Sequence, residues 1–222
     1  MLPALFLSHG SPMLALTDSP ARDFLRGLGR EIGKPSAIVV ASAHWETEVP
    51  TFNSVALNGT IHDFYGFPPA LFAMRYEPPG SPSLAAKAAT LVKAAGLASA
   101  TNTERGLDHG AGVPLSLMYP AADSPVMQVG LQFHLGPAHH LRLGRALAAL
   151  RAEEVLVVGS GSFTHNLERA TELGRQGHRD GAHFGPSAAG ALLNSIPLIC
   201  CRCCCRSSTR LSSPTPFRSN PA

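Results

Sequence analysis

Three histidines in this chain each follow a short apolar run and a few small residues. Ala4, Leu5, Phe6 and Leu7 lead to Ser8 and His9. Ile38, Val39, Val40 and Ala41 lead to His44 and the sole tryptophan, Trp45. Val155, Leu156, Val157 and Val158 lead through Gly159, Ser160, Gly161 and Ser162 to His165. Such runs make fully buried strands. In open α/β sheets, ligands bind in the crevice outside the carboxyl ends of the strands. Three imidazoles delivered there predict a shared metal site, since neutral imidazole is a common ligand for divalent transition metals.

The elements that must hold these histidines are readable in outline. Asp18, Ser19 and Pro20 open a helix whose apolar face is Phe24, Leu25, Leu28 and Ile32, and Gly33 and Pro35 end it. Ser81 and Pro82 open a second, with Leu84, Ala88, Leu91 and Val92 on one face and Gly96 as its stop. Pro137 opens a third, with Leu143, Leu147 and Leu150 at helical spacing; His139 and His140, in its first turn, are expected to face solvent. Further strands are expected at Met74, Arg75 and Tyr76 and over residues 126–133. This alternation predicts a single-domain α/β fold. Its sheet is mixed and mostly parallel, with helices on both faces and the metal site at the carboxyl ends of the strands.

Two stretches lack a period. Residues 61–72, IHDFYGFPPALF, are rich in aromatics, Pro and Gly and read as a wall or lid for a flat ligand. His62, Phe64 and Tyr65 are its candidate substrate contacts. Residues 107–120, LDHGAGVPLSLMYP, carry His109, and Asp108 beside it is a candidate to orient that ring.

Composition narrows the classes. The chain has 222 residues, 15% of them charged, with 21 Gly and 19 Pro, which fits one loop-rich globular domain. The net charge of +3 comes from Arg202, Arg206, Arg210 and Arg218 near the end; without them 14 Lys and Arg face 15 Asp and Glu. No basic patch argues for nucleic acid. No run is long enough for a membrane span and no leader pattern opens the chain, so a cytoplasmic location is the expectation. Gly159, Ser160 and Gly161 lack the later glycine of a dinucleotide fingerprint and do not form the Gly-x-Ser-x-Gly of a nucleophile elbow.

Taken together, LSHGSP, SAHWE, HDFYGFP, LDHGAGVPL and GSGSFTHNL, in this order, resemble the class III extradiol ring-cleavage dioxygenases. The branch that fits best is DOPA 4,5-dioxygenase-like, related to the catalytic subunit of protocatechuate 4,5-dioxygenase. The resemblance runs from residue 3 to about residue 167. It implies an oxidoreductase with one Fe(2+) or Zn(2+) per chain that opens a small aromatic diol with O2, and it leaves a homo-oligomer open. His9 and His44 match the two metal-binding histidines. His165 matches a histidine at the metal, described as a ligand in the branch and as an acid/base in the wider family. His109 matches a further catalytic histidine. A neutral imidazole, with a pKa near ~6.5, suits removal of a catechol proton at neutral pH.

Two other readings compete: a zinc-dependent hydrolase, since three His and a water also describe catalytic zinc, and a non-catalytic relative that binds a metal or an aromatic ligand. Residues 1–195 are read as the catalytic domain. Residues 196–222 are an atypical Cys/Arg/Ser/Pro-rich tail holding all five cysteines. The expectation is a reading frame that departs from the family's between about residues 168 and 196, leaving the tail disordered. The family's further metal ligand, in a Pro-Thr-x-x-His-like segment, has no counterpart, because no histidine follows His183. Weaker metal binding and low turnover are expected to follow.

Overall fold

The predicted buried runs are strands in the computed structural model, which describes residues 1–162. The chain forms β1 (Ala4–Ser8), α1 (Pro20–Ile32), β2 (Ala37–Glu46), β3 (Thr51–Asn53), α2 (Pro69–Ala73) and α3 (Pro82–Ala94). It continues through β4 (Ala100–Asn102), α4 (His109–Met118), β5 (Val126–Leu131), α5 (Gly136–Leu147) and β6 (Val155–Gly161). The six strands form one sheet in the order β1-β6-β2-β5-β3-β4. All pairings are parallel except β3 with β5, joined through Phe52 and Val129. This is the expected mixed, mostly parallel sheet.

Strand alternation splits the core in two. Val39 and Ala41 join Ala85, Ala88 and Val92 of α3 and Leu143 and Leu147 of α5 on one face. Ile38 and Val40 join Leu25 and Leu28 of α1 and Ala111 and Leu115 of α4 on the other. Each fully buried Leu or Val contributes about 1.5–3 kcal/mol, so Leu115→Ala, at a site with no exposed surface, would cost about 2–5 kcal/mol. Helix starts follow their caps: the Ser19 hydroxyl accepts from Arg22 N and that of Ser81 from Leu84 N.

Four expectations need correction. Met74, Arg75 and Tyr76 form no strand; they run as irregular chain out of α2. Here Arg75 Nη1 donates to Phe72 O and Met74 O, and Tyr76 N to the Thr60 hydroxyl, so these carbonyls and this amide bond locally rather than to a ladder. His44 lies within β2, not past its end. The register between β2 and β5 breaks between Ala41 and Glu46, and that irregularity carries the histidine. Residues 107–120 are not aperiodic loop: α4 occupies most of them. His140 is buried rather than solvent-facing. Among the described residues, no helix is long and apolar enough to cross a membrane. His165 and the tail at 196–222 lie outside the described residues.

Candidate metal centre

β6 enters the sheet between β1 and β2, with Ser8 opposite Gly161 and Ser42 opposite Ser160. That register brings the carboxyl ends of three strands level, and His9 N donates to Gly161 O. His9 and His44 therefore meet, with Nε2 atoms 3.0 Å apart. The third ring beside them is His109, the first residue of α4; its centroid is 4.1 Å from that of His44 and 5.3 Å from that of His9. One ligand nitrogen from each of His9, His44 and His109 lies within 4.8 Å of the others.

The partners of these rings decide which nitrogens carry protons. Pro114 sits inside α4 and has no N–H for the carbonyl four residues back. That carbonyl is Gly110 O, and the Ser160 hydroxyl donates to it instead. With its proton committed, the Ser160 oxygen accepts from His9 Nδ1 at 2.9 Å. His9 is thereby fixed with its lone pair on Nε2.

Asp63 does the same for His109 and stands beside His44. Its Oδ1 accepts from both the backbone N and Nδ1 of His109, at 2.9 and 2.8 Å, and its Oδ2 lies 3.5 Å from His44 Nδ1. Burial pushes the Asp63 pKa up, but the hydrogen bonds and charge of His109 outweigh it and hold the carboxyl at about 2. A carboxylate at a helix N-terminus also gains from the helix dipole. Asp63 was not singled out from the sequence, although it lies in the quoted HDFYGFP motif beside His62.

Asp108 does not orient His109. Fully buried, it caps α4 by accepting from Ala111 N at 3.1 Å. It also accepts from the Ser42 hydroxyl at 2.7 Å, from Arg105 Nη2 at 3.0 Å and from Gln128 Nε2. The Ser42 oxygen accepts from His44 N, and the Arg105 guanidinium stacks over Trp45. This network braces the irregular end of β2, so Asp108 supports His44 rather than its sequence neighbour.

The donor set fits a metal ion. Each Nδ1 faces an oxygen, the usual outer-shell arrangement for metal-binding imidazoles, which leaves Nε2 as the ligand atom. Two ligands each about 2.0–2.1 Å from one ion lie about 2.9–3.4 Å apart, close to the separation of His9 and His44. The rings leave no room for bulk beneath them: a Cβ on Gly110 would lie 2.5 Å from Ser42 Oγ and 2.8 Å from His44 Cδ2.

Beside the histidines opens a partly open apolar cavity. His109 lines it together with His62 and Phe64 of the aromatic loop, and Leu71, Met74 and Val113 are among its apolar walls. Phe64 meets the His109 ring edge-on at 5.8 Å. Tyr65 is 92% exposed and does not line the cavity.

The chain is similar to known proteins. Residues 3–194 match the family model described as the catalytic LigB subunit of aromatic ring-opening dioxygenase. The 4,5-DOPA dioxygenase extradiol of Beta vulgaris is 52% identical over 164 residues, covering 72% of this chain and 61% of that protein. The proteins of the same name from Portulaca grandiflora and Escherichia coli K12 are 46% and 43% identical, covering 73% and 75% of this chain and 61% of each relative. The chain thus spans about 61% of the length of these curated relatives. The crystal structure of an uncharacterized protein from Escherichia coli K12 superposes with a TM-score of 0.66 at 31% identity, covering 86% of both chains.

Proposed function

Because this chain belongs to the family of the catalytic LigB subunit of aromatic ring-opening dioxygenases, we propose that it opens the ring of a DOPA-like catechol with O2. The observation that carries this reading is the meeting of His9, His44 and His109 beside an apolar cavity, with Nδ1 of His9 bonded to Ser160 and Nδ1 of His109 bonded to Asp63. His9 and His44 are the metal-holding residues, with His165 as their partner from outside the described residues. The ion is a single Fe(2+) or Zn(2+). Bound there, Fe(2+) would supply the Lewis-acid and redox chemistry of extradiol cleavage, whereas Zn(2+) would supply the Lewis-acid part alone.

The protein's own part is positioning and proton handling. Phe64 and the apolar walls take the flat ring and exclude water, and His62 contributes a polar edge. Asp63 keeps a proton on His109 Nδ1, so Nε2 is free to accept one from a catechol hydroxyl. His165 is the second acid/base. The catalytic unit is residues 1–195, acting on a small aromatic diol in the cytoplasm. The clustering of His109 with the other two rings also favours a second reading, in which His109 is itself a ligand. Removing His109 discriminates: an acid/base leaves the ion in place, whereas a ligand takes it along.

Anaerobic loading with Fe(2+), then O2 uptake with a panel of catechols, tests the function. The expected result is catechol-dependent uptake with a yellow product, slower than in the Beta vulgaris relative and lost in His9→Ala. Ester or amide cleavage with no uptake would instead make it a hydrolase. Catechol binding without turnover would make it a non-catalytic relative.

A further inference from the structure

The cavity has one cationic wall that ring opening itself does not require. Arg75 lines it alongside His62 and Met74. Its side chain is held in place, because Nη1 donates to Phe72 O at 2.7 Å and to Met74 O at 2.9 Å. No carboxylate pairs with it among the described residues. Asp108, which lines the cavity, and Asp63, which bonds the lining His109, are engaged elsewhere: Asp63 with His109 and His44, and Asp108 with Arg105. His62 Nε2 stands 3.4 Å from Arg75 Nη1 and bonds Met74 O at 3.1 Å, so the imidazole packs against the cation's anchored side. Arg75 Nε and Nη2 keep N–H donors beyond these bonds.

A guanidinium pinned by backbone carbonyls, unpaired and facing an apolar cavity is suited to an anion that arrives with the ligand. Its planar fork matches a carboxylate bidentately. Ile61, Leu71, Met74 and Val113 line the same cavity as Arg75 and His109, apolar surface suited to a ring and a short chain. We propose that Arg75 is the specificity-determining residue of the cavity, and that it receives the carboxylate of a catechol bearing a short carboxylated side chain. The inference rests on the proposed catechol reading for the ring, but the carboxylate subsite stands on Arg75 alone.

The test compares 3-(3,4-dihydroxyphenyl)propionate with its primary amide, which has the same length and no charge. Both are given to the iron-loaded full chain and to Arg75→Gln and Arg75→Lys. A charge-assisted hydrogen bond predicts a kcat/KM for the acid about 10–100-fold above that for the amide, carried in KM. In Arg75→Gln the acid should lose about 10–100-fold more than the amide does, and Arg75→Lys should keep part of the preference. Equilibrium binding of 3-phenylpropionate, which has the anion but no diol, gives a readout independent of turnover. It should weaken by a similar factor in Arg75→Gln. If no catechol is opened but phenylpropionate binding depends on Arg75, the ring-opening reading fails and the subsite stands. If wild type and Arg75→Gln bind phenylpropionate equally, or the acid and amide are lost equally, the subsite is overturned.

Discussion

Two groups of three histidines lie among the described residues, and they differ in what is done with their nitrogens. In His9, His44 and His109, each Nδ1 faces an oxygen of Ser160 or Asp63, and one nitrogen from each ring gathers toward a common point. His134, His139 and His140 crowd the start of α5, but their bonds are of another kind. His140 donates from Nδ1 to Gly136 O and accepts at Nε2 from Gln132 N, while His139 Nε2 bonds Gln132 Oε1. Both nitrogens of His140 are consumed in holding the turn between β5 and α5. Clustering alone does not make a metal site; an arrangement that gathers one nitrogen of each ring toward a common point does.

The largest expected effect breaks the first group from within. His109→Ala should lower catechol turnover by about 100-fold or more, the ordinary scale of a lost acid/base, while metal content measured by atomic emission stays near that of wild type. Metal content falling as far as in His9→Ala would make His109 a ligand instead.

Asp63→Asn keeps the size of the side chain and removes the charge that holds His109 and faces His44. Metal affinity should drop by about 10–100-fold, as for other outer-shell partners, and competition with a chromogenic chelator measures it. An unchanged affinity would show that the carboxylate only caps α4.

His140→Ala acts on the second group and should leave metal affinity alone. It strips partners from a buried amide and a carbonyl, which costs about 2–4 kcal/mol, read as a lower denaturation midpoint. The same residue gives a pH dependence. Burial, acting against the hydrogen bond to Gly136 O, holds its pKa below the ordinary imidazole value. The unfolded chain takes up that proton near pH ~6.5 while the folded chain resists it. The stabilisation is therefore full above that pH and is lost as pH falls through the lower folded value. The Tm of wild type should decline on acidification below neutrality, and His140→Gln should flatten that slope.

The smallest effect concerns Pro114. Pro114→Ala returns an N–H that competes with Ser160 for Gly110 O and loosens the His9 tautomer. A several-fold weaker metal site with an intact fold is expected, checked by the same chelator competition alongside circular dichroism.

The same contrast shows what could be read in advance. β1, β2, β5 and β6 were legible as unbroken apolar runs, and α1, α3 and α5 through an opening proline followed by apolar residues at helical spacing. β3 and β4 are three residues each and too short to show a period. α4 was hidden by Gly110, Gly112 and Pro114, residues that argue against a helix unless tertiary bonds satisfy the freed carbonyl. Its one local signal was Asp108, an N-cap residue read as a partner of His109. His9 and His44 were visible through the strand-then-histidine pattern. Asp63 was not, because a partner distant in sequence leaves no spacing to recognise. The burial of His140 had a signal: Leu143 and Leu147 follow it at helical spacing on the same face.

The central claim is that the first group of histidines, and not the second, is built for one metal ion. Calorimetric titration of the metal-free full chain with Zn(2+) tests it most directly, run in parallel on wild type, His44→Ala and His140→Ala. The account predicts one tight equivalent in wild type, its loss in His44→Ala and its retention in His140→Ala. Retention of that equivalent in His44→Ala, or its loss in a folded His140→Ala, would contradict it.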